Sequence, residues 1–170
     1  MLGLTEQTKV TRLLALMANI FRSMFFKVLR LLPKSKKMLP SGLPDLVGDN
    51  ESLARFLTSS RQFNSTAVKP SAFIPDANYE TSVFRHSSEP RDPLWTIGVV
   101  AANTRNLHGA GIIRAAVVRL AELKVEAVEP PDKHAVIVGW PRNKDDQDMQ
   151  DAAHLELATT LAKNALLIKK

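Results

Sequence analysis

The stretch VEAVEPPDKHAVIVGW, residues 125–140, is the part of the sequence that most clearly predicts a fold. Two runs rich in β-branched residues, 125–129 and 133–140, flank a Pro-Pro-Asp turn, which is the pattern of a β-hairpin. On either side, residues 109–123 and 148–168 carry apolar side chains at helical spacing. These segments together predict a hairpin between two helices.

The upstream half of the body carries a second strand–turn–strand pattern. Residues 68–74 and 79–86 are separated by the turn residues 75–78, so a second hairpin is expected. A short helix is expected over residues 51–58, and residues 94–102 fit either a helix or a strand. The sequence therefore predicts an α+β fold, with a small antiparallel sheet built from two β-hairpins and packed against two or three helices.

Composition excludes several classes of protein and of site. The 170 residues suit one domain of ordinary size, and 45% hydrophobic residues are enough for a core. Because the chain has no cysteine, it has no disulfide, no thiolate metal site and no catalytic thiol. The longest uncharged apolar run, residues 13–21, is well short of the roughly 18 residues that a membrane-spanning helix needs.

The net charge of +6 is concentrated at the N-terminus. Residues 1–37 hold eight basic residues and one acidic residue, whereas the rest of the chain holds 15 basic and 16 acidic ones. Residues 1–44 are therefore interpreted as a basic amphipathic helical arm followed by a Pro/Lys-rich linker, and residues 45–170 as a single α+β domain. The nearly neutral body lacks the broad basic surface typical of nucleic-acid-binding proteins.

The helix of the N-terminal arm is expected over residues 9–32, directly before Pro33. Its basic side chains fall on one face and its apolar side chains on the other. The residues expected to contact a membrane or a partner are Lys9, Arg12, Phe21, Phe25, Lys27 and Arg30. Three roles stay open for residues 9–37: packing on the domain itself or on a partner protein, lying on an anionic membrane surface, or acting as a targeting presequence.

Histidine, arginine, carboxylate and hydroxyl side chains must carry any chemistry, since cysteine is absent. His108 precedes Gly109 and Gly111 at the start of the helix expected over residues 109–123. A helix N-terminus presents unpaired N–H groups and partial positive charge, and glycines let an anion approach the backbone. Gly109 and Gly111 are therefore predicted to bind a phosphate or a carboxylate, and His108 to act as a neutral base. The alternative is a structural helix cap with closely packed glycines.

The other candidates lie at the ends of predicted strands. Alternation along the strand that ends at His86 places Glu80 and His86 on one face and Arg85 on the other, and His134 opens the strand after the Pro-Pro-Asp turn. His108 and His134 are predicted as an acid/base pair, Arg85 as the clamp on an anion, and Glu80 or His86 as orienting groups. This prediction requires distant stretches of chain to meet at one end of the sheet.

These residues predict a small domain that acts on a nucleotide or RNA phosphate by metal-independent His/Arg acid–base chemistry, as a ribonuclease or a phosphoryl or nucleotidyl transferase does. No cofactor motif is present, and a zinc site from three histidines is disfavoured because no two lie at chelating spacing. The alternative is a non-catalytic interaction subunit that docks a partner protein or a membrane through its N-terminal helix. A cytoplasmic protein is expected in either case, peripheral to the membrane if the arm binds lipid.

Overall fold

Six strands form one antiparallel sheet in residues 38–86 and 93–170, which are the residues that the computed structural model describes. The strands are β1 (Ser52–Leu57), β2 (Thr81–His86), β3 (Gly109–Arg114), β4 (Lys124–Ala127), β5 (His134–Val138) and β6 (Leu166–Lys169), in the order β4-β5-β2-β1-β3-β6. The α-helices of the same residues are α1 (Leu94–Ala102), α2 (Ala115–Leu120) and α3 (Gln147–Lys163). The predicted α+β class is confirmed. The helix expected over residues 9–32 lies outside the described residues.

The two faces of the sheet carry cores of unequal size. Successive strand residues point to opposite faces, so each central strand contributes to both cores. Helices α2 and α3 cover the larger core, which includes Leu53, Val83 and Ile113 of the central strands. Helix α1 covers the smaller core on the other face, over Phe56 and Phe84. None of the described helices is long and apolar enough to cross a membrane.

Strands β1 and β3 lie where the sequence predicted helices. The helix predicted over residues 51–58, and the first part of the helix predicted over residues 109–123, are therefore wrong. Both strands are covered on both faces, so their apolar residues do not simply alternate with polar ones. In β1, Leu53, Phe56 and Leu57 fall at a spacing that also fits one face of a helix. Of the helix predicted over residues 109–123, only Ala115–Leu120 is helical.

The predicted hairpin between residues 68–74 and 79–86 is also wrong. Pro70 has no N–H to donate to a strand ladder, and it opens a 3-10 turn at Pro70–Ala72. Strand β2 pairs with β1 and β5 instead. The other predicted hairpin, β4–β5, is confirmed. Residues Leu94–Ala102, for which the sequence fitted either a helix or a strand, form a helix.

The last helix is shorter than predicted, and the chain after it forms a strand. Helix α3 begins with Asp146, whose side chain accepts a hydrogen bond from Met149 N, and it ends at Lys163. Residues Leu166–Lys169 then pair with β3 as an edge strand. The apolar residues of β6 continue the helical spacing, which explains why the sequence pattern did not separate the two elements.

Candidate functional site

A small polar cavity lies on the α1 face of the sheet, at the point where β1 and β2 separate. The two strands pair only over Ser52–Ala54 of β1. We call this cavity of about 90 Å³ the basic pocket; it is lined by Arg55, Phe56, Thr58, Ser82, Phe84, Ala101 and Arg105. Its volume is that of about three water molecules at roughly 30 Å³ each, which suits a small anionic group.

Arg55 extends between the separated strands and is held there by backbone carbonyls. Its Nε–H donates to Ala72 O at 2.6 Å, and Nη1 donates to Ser82 O at 2.8 Å. The three other N–H donors of the guanidinium meet no acceptor among the described residues. Burial lowers the pKa of Arg55 to about 10, with a further contribution from the charge of Arg105 and an opposing one from Asp76. Arg55 is therefore charged at neutral pH, although it is largely removed from water.

Arg105 supplies a second cation to the basic pocket. It lies in the loop after α1 and makes one long hydrogen bond, from Nε to Ala102 O at 3.4 Å. Its terminal nitrogens meet no acceptor in the part of the chain that the structure describes. Neither Arg55 nor Arg105 forms an ion pair with a described carboxylate. Two like charges at one polar cavity repel each other, and a bound anion would relieve that repulsion.

Ser82 and His134 form a hydrogen-bonded pair beside the two arginines. Ser82 Oγ lies 2.9 Å from His134 Nε2, and His134 Nδ1 lies 2.9 Å from Val128 O. A carbonyl oxygen only accepts hydrogen bonds, so Nδ1 carries the proton of the neutral ring and Nε2 accepts from the serine hydroxyl. The hydroxyl is thus in contact with a base whose orientation is fixed by the backbone, the arrangement of an activated nucleophile.

The pairing of β2 with β5 brings this serine and histidine together. Phe84 lies directly opposite His134 in the antiparallel ladder, so Ser82 is the diagonal neighbour of His134 on the same face. The ring of Phe84 packs against the imidazole with 5.1 Å between their centroids. The position of His134 is therefore determined by strand register as well as by its two hydrogen bonds.

A second cavity, here called the apolar pocket, adjoins the basic pocket. Its volume is about 180 Å³, and it is lined by Phe84, Thr96, Ile97, Val100, Ala101, Pro131 and Asp132. Phe84 and Ala101 belong to both cavities. An engineered cavity of roughly 150 Å³ in another protein binds benzene, so the apolar pocket has room for one aromatic ring. The two cavities together suit a ligand that joins an anionic group to an apolar ring.

His108 is far from His134, so the predicted acid/base pair is not formed. Across the sheet, Ile112 of β3 pairs with Ala54 of β1, Ala54 pairs with Phe84 of β2, and Phe84 pairs with His134 of β5. Strand β3 is therefore three strand positions from β5, and His108 precedes Ile112 by four residues. Four residues and three strand spacings give a backbone separation of about 20 Å. His108 also precedes a strand rather than a helix, and its ring packs beside Phe63 at 5.6 Å.

Gly109 and Gly111 serve strand packing rather than an anion site at a helix N-terminus. A Cβ atom at Gly109 would collide with the backbone oxygen of Ile168 in β6, and one at Gly111 would lie 3.0 Å from Val68 Cγ2. Glycine is needed at these positions because neighbouring atoms approach the backbone closely. The helix N-terminus on which the anion site predicted at these two glycines depends is therefore not formed.

Arg85 is committed to a structural ion pair on the opposite face of the sheet. Its Nε and Nη2 donate to the two carboxylate oxygens of Glu51 at 2.7 and 2.8 Å, and Nη1 donates to Pro44 O at 2.5 Å. The predicted role of Arg85 as an anion clamp is therefore unsupported, because its donors are already used within the protein.

The remaining candidates, Glu80 and His86, lie before and at the end of β2. Glu80 is in a turn closed by Asp76 and does not line either pocket. His86 is half-buried, diagonal to His134 on the same sheet face. Among residues 38–86 and 93–170, no three histidine or carboxylate side chains are grouped closely enough to hold a metal ion.

The sequence singled out His134, which contacts Ser82, but it did not single out Arg55, Arg105 or Ser82 as candidates. One signal was present for Arg55, which is the lone charge within the apolar segment Leu53–Leu57. A charged residue between buried positions needs a partner or a function. Ser82 and Arg105 carry no such signal, since polar residues of these types are ordinary in strands and loops.

Comparison of the chain with protein-family models, with curated proteins and with solved structures gave no match.

Proposed function

We propose that this domain binds a small phosphate ester in the basic pocket. The observation that carries the proposal is that Arg55 and Arg105 line one cavity without an ion-pair partner among the described residues. A guanidinium fork matches phosphate oxygens, and hydrogen bonds of this charged kind are roughly twice as strong as neutral ones. Thr58 adds a hydroxyl-bearing residue to the same lining.

A phosphate fits the charge of the pocket better than a carboxylate does. The two guanidinium groups supply two positive charges, and a phosphate monoester carries up to two negative charges on three terminal oxygens. A carboxylate would neutralise only one of the two cations. The repulsion between Arg55 and Arg105 therefore favours a dianion.

The apolar pocket indicates the rest of the ligand. It shares the lining residues Phe84 and Ala101 with the basic pocket, so the two cavities are adjacent, and the proposal places one molecule across both. A phosphate ester with a single aromatic ring, such as phenyl phosphate, meets the size and polarity of the two cavities. This proposal keeps the phosphate chemistry expected from the sequence and moves it from Arg85 and His108 to Arg55 and Arg105.

The test is calorimetric titration of the full chain with phenyl phosphate and with inorganic phosphate. We expect Arg105→Ala to weaken both by at least tenfold, because one charge-assisted hydrogen bond contributes about 1.5–3 kcal/mol. Arg114→Ala is the matched control, an exposed arginine at the other end of the sheet. The proposal fails if the full chain binds neither ligand, or if the two variants bind them equally well.

The alternative function, docking through the N-terminal helix, concerns residues that lie outside the described part of the chain. It stays a prediction of the sequence.

A further inference from the structure

We propose that Ser82 is a nucleophile that takes the phosphoryl group from the bound ester, with His134 as its general base. This inference rests on the proposed function, because the ester must first occupy the basic pocket. It adds a catalytic activity to the binding site.

The first argument is the geometry of the hydroxyl and its base. Ser82 Oγ and His134 Nε2 are 2.9 Å apart, and the Val128 carbonyl fixes the tautomer that leaves Nε2 free to accept a proton. A serine hydroxyl is a weak nucleophile unless a base of this kind removes its proton. The pair therefore has both components of an activated serine, together with the backbone group that orients the base.

The second argument is the position of the pair at the cations. Ser82 lines the same cavity as Arg55 and Arg105, and its carbonyl oxygen accepts a hydrogen bond from Arg55 Nη1. A phosphoryl group held by the two guanidinium groups would lie beside Ser82. Phosphoryl transfer depends mainly on positioning and on neutralising the charge of the three non-bridging oxygens, which arginine does well.

The reaction requires no co-reactant other than water. Ser82 Oγ attacks phosphorus as its proton passes to His134 Nε2, and the bond from phosphorus to the ester oxygen breaks, with its electron pair leaving on that oxygen. Water then attacks phosphorus, the bond to Oγ breaks, and Oγ recovers the proton from Nε2. Both protons of the water stay at first with the released phosphate. One of them then passes through solvent to the departed ester oxygen.

Phosphoryl transfer is favoured over hydrolysis of a carboxylic ester at the same serine. The tetrahedral intermediate of acyl transfer carries one negative charge, which is usually stabilised by backbone N–H groups. The groups that face this cavity without partners are guanidinium donors instead. We therefore commit to a phosphate ester as the substrate.

The experiment measures nitrophenolate release from para-nitrophenyl phosphate by the full chain and by its variants. Acid-quenched samples are also mapped by mass spectrometry for a phosphorylated peptide. We expect phosphate on Ser82 in the unmodified chain, and a loss of kcat of at least 100-fold in both Ser82→Ala and His134→Gln. Matched controls are Ser71→Ala and His108→Gln, which change an exposed serine and an exposed histidine outside both pockets.

Inorganic phosphate binding, measured in each variant, separates this inference from the proposed function. Binding within threefold of the unmodified chain, combined with lost turnover, supports Ser82 as the nucleophile. Phosphate binding without any turnover by the unmodified chain overturns the inference and leaves the binding function intact. Full turnover by Ser82→Ala, or a phosphoryl group trapped on another residue, also overturns it. Absence of phosphate binding by the unmodified chain overturns both.

Discussion

Arg55 and Arg85 are two arginines largely withdrawn from water, and their surroundings differ in kind. Arg85 is 3% exposed and has a carboxylate partner, Glu51, on two of its nitrogens. Arg55 has only carbonyl oxygens as acceptors and faces a cavity. A paired buried charge holds the structure together, whereas one without a counter-ion lowers stability and retains the capacity to bind an anion.

Replacing Glu51 tests the structural ion pair. Glu51→Gln should lower the free energy of unfolding by about 2 kcal/mol, because it leaves the Arg85 charge buried with a neutral partner. The value is below the range for fully buried pairs because the Glu51 side chain is 31% exposed. Urea unfolding at pH 7 measures the loss. Glu126→Gln, at an exposed position in β4, is the control and should change stability little.

The same ion pair predicts how stability depends on pH. Burial alone would raise the pKa of Glu51, but hydrogen bonds from Arg85 and Gly48 and the charge of Arg85 outweigh it, so the pKa lies below its ordinary value of 4.5. A carboxyl with a lowered native pKa stabilises the fold above its unfolded pKa, and this contribution is lost as pH falls through the native pKa. The stability difference between Glu51→Gln and the unmodified chain should therefore shrink below about pH 4.5. A difference that is constant from pH 7 to pH 3 would contradict this assignment.

Helix α1 is the element that closes the candidate site. It contributes Ala101 to both pockets and leads into the loop that carries Arg105. Its approach to the sheet depends on Gly98, where a Cβ atom would lie 2.7 Å from a ring carbon of Phe56 and 2.8 Å from a methyl of Leu107. The distance of α1 from β1 is thus determined by the absence of a side chain at one position.

Gly98→Ala should move or loosen α1. Overpacking of this kind costs typically 1–3 kcal/mol, and the better helix propensity of alanine returns up to about 1 kcal/mol, so we expect a net loss of about 1–2 kcal/mol. Phosphate affinity should fall as well, since Arg105 follows this helix. Thermal unfolding and calorimetry measure the two effects. Gly48→Ala is the control, because its Cβ would meet only ordinary contacts. An unchanged melting temperature in Gly98→Ala would show that α1 does not depend on this close approach.

At the scale of the whole molecule, the candidate site is assembled from distant parts of the chain. Its main groups come from β1, β2, β5 and the loop after α1. Two of its hydrogen-bonded pairs, Arg55 with Ala72 and Ser82 with His134, join residues 17 and 52 positions apart. Such a site exists only when the sheet is complete, because each strand positions its side chain through pairing with the next.

The basic N-terminal arm predicts a further property of the whole chain. If residues 9–37 bind an anionic membrane surface, the full chain should co-sediment with vesicles containing anionic lipid and be released by salt. Lys27→Glu combined with Arg30→Glu should weaken this binding by at least tenfold, since each basic residue contributes about 1 kcal/mol. Lys144→Glu, in an exposed loop of the domain, is the control. Equal sedimentation of all three chains would exclude the membrane role.

Local patterns predicted some elements and misassigned others, for identifiable reasons. The β4–β5 hairpin was predictable because its turn residues and β-branched runs act over short range. Strands β1 and β3 were not, since Leu53, Phe56 and Leu57 satisfy a helical pattern as well as a strand buried on both faces. Strand β6 was hidden for the same reason, because its apolar residues continue the spacing of α3.

By itself, the sequence determined the α+β class, the concentration of basic charge before residue 38 and the absence of cysteine chemistry. These properties follow from composition and from contacts between near neighbours in the chain. Only the tertiary structure decided that His108 lies about 20 Å from His134, that Arg85 is neutralised by Glu51, and that Arg55, Arg105 and Ser82 share a cavity. The physical reason is strand order: which side chains meet depends on the pairing of β1, β2 and β5, and that pairing is set by the packing of the complete sheet.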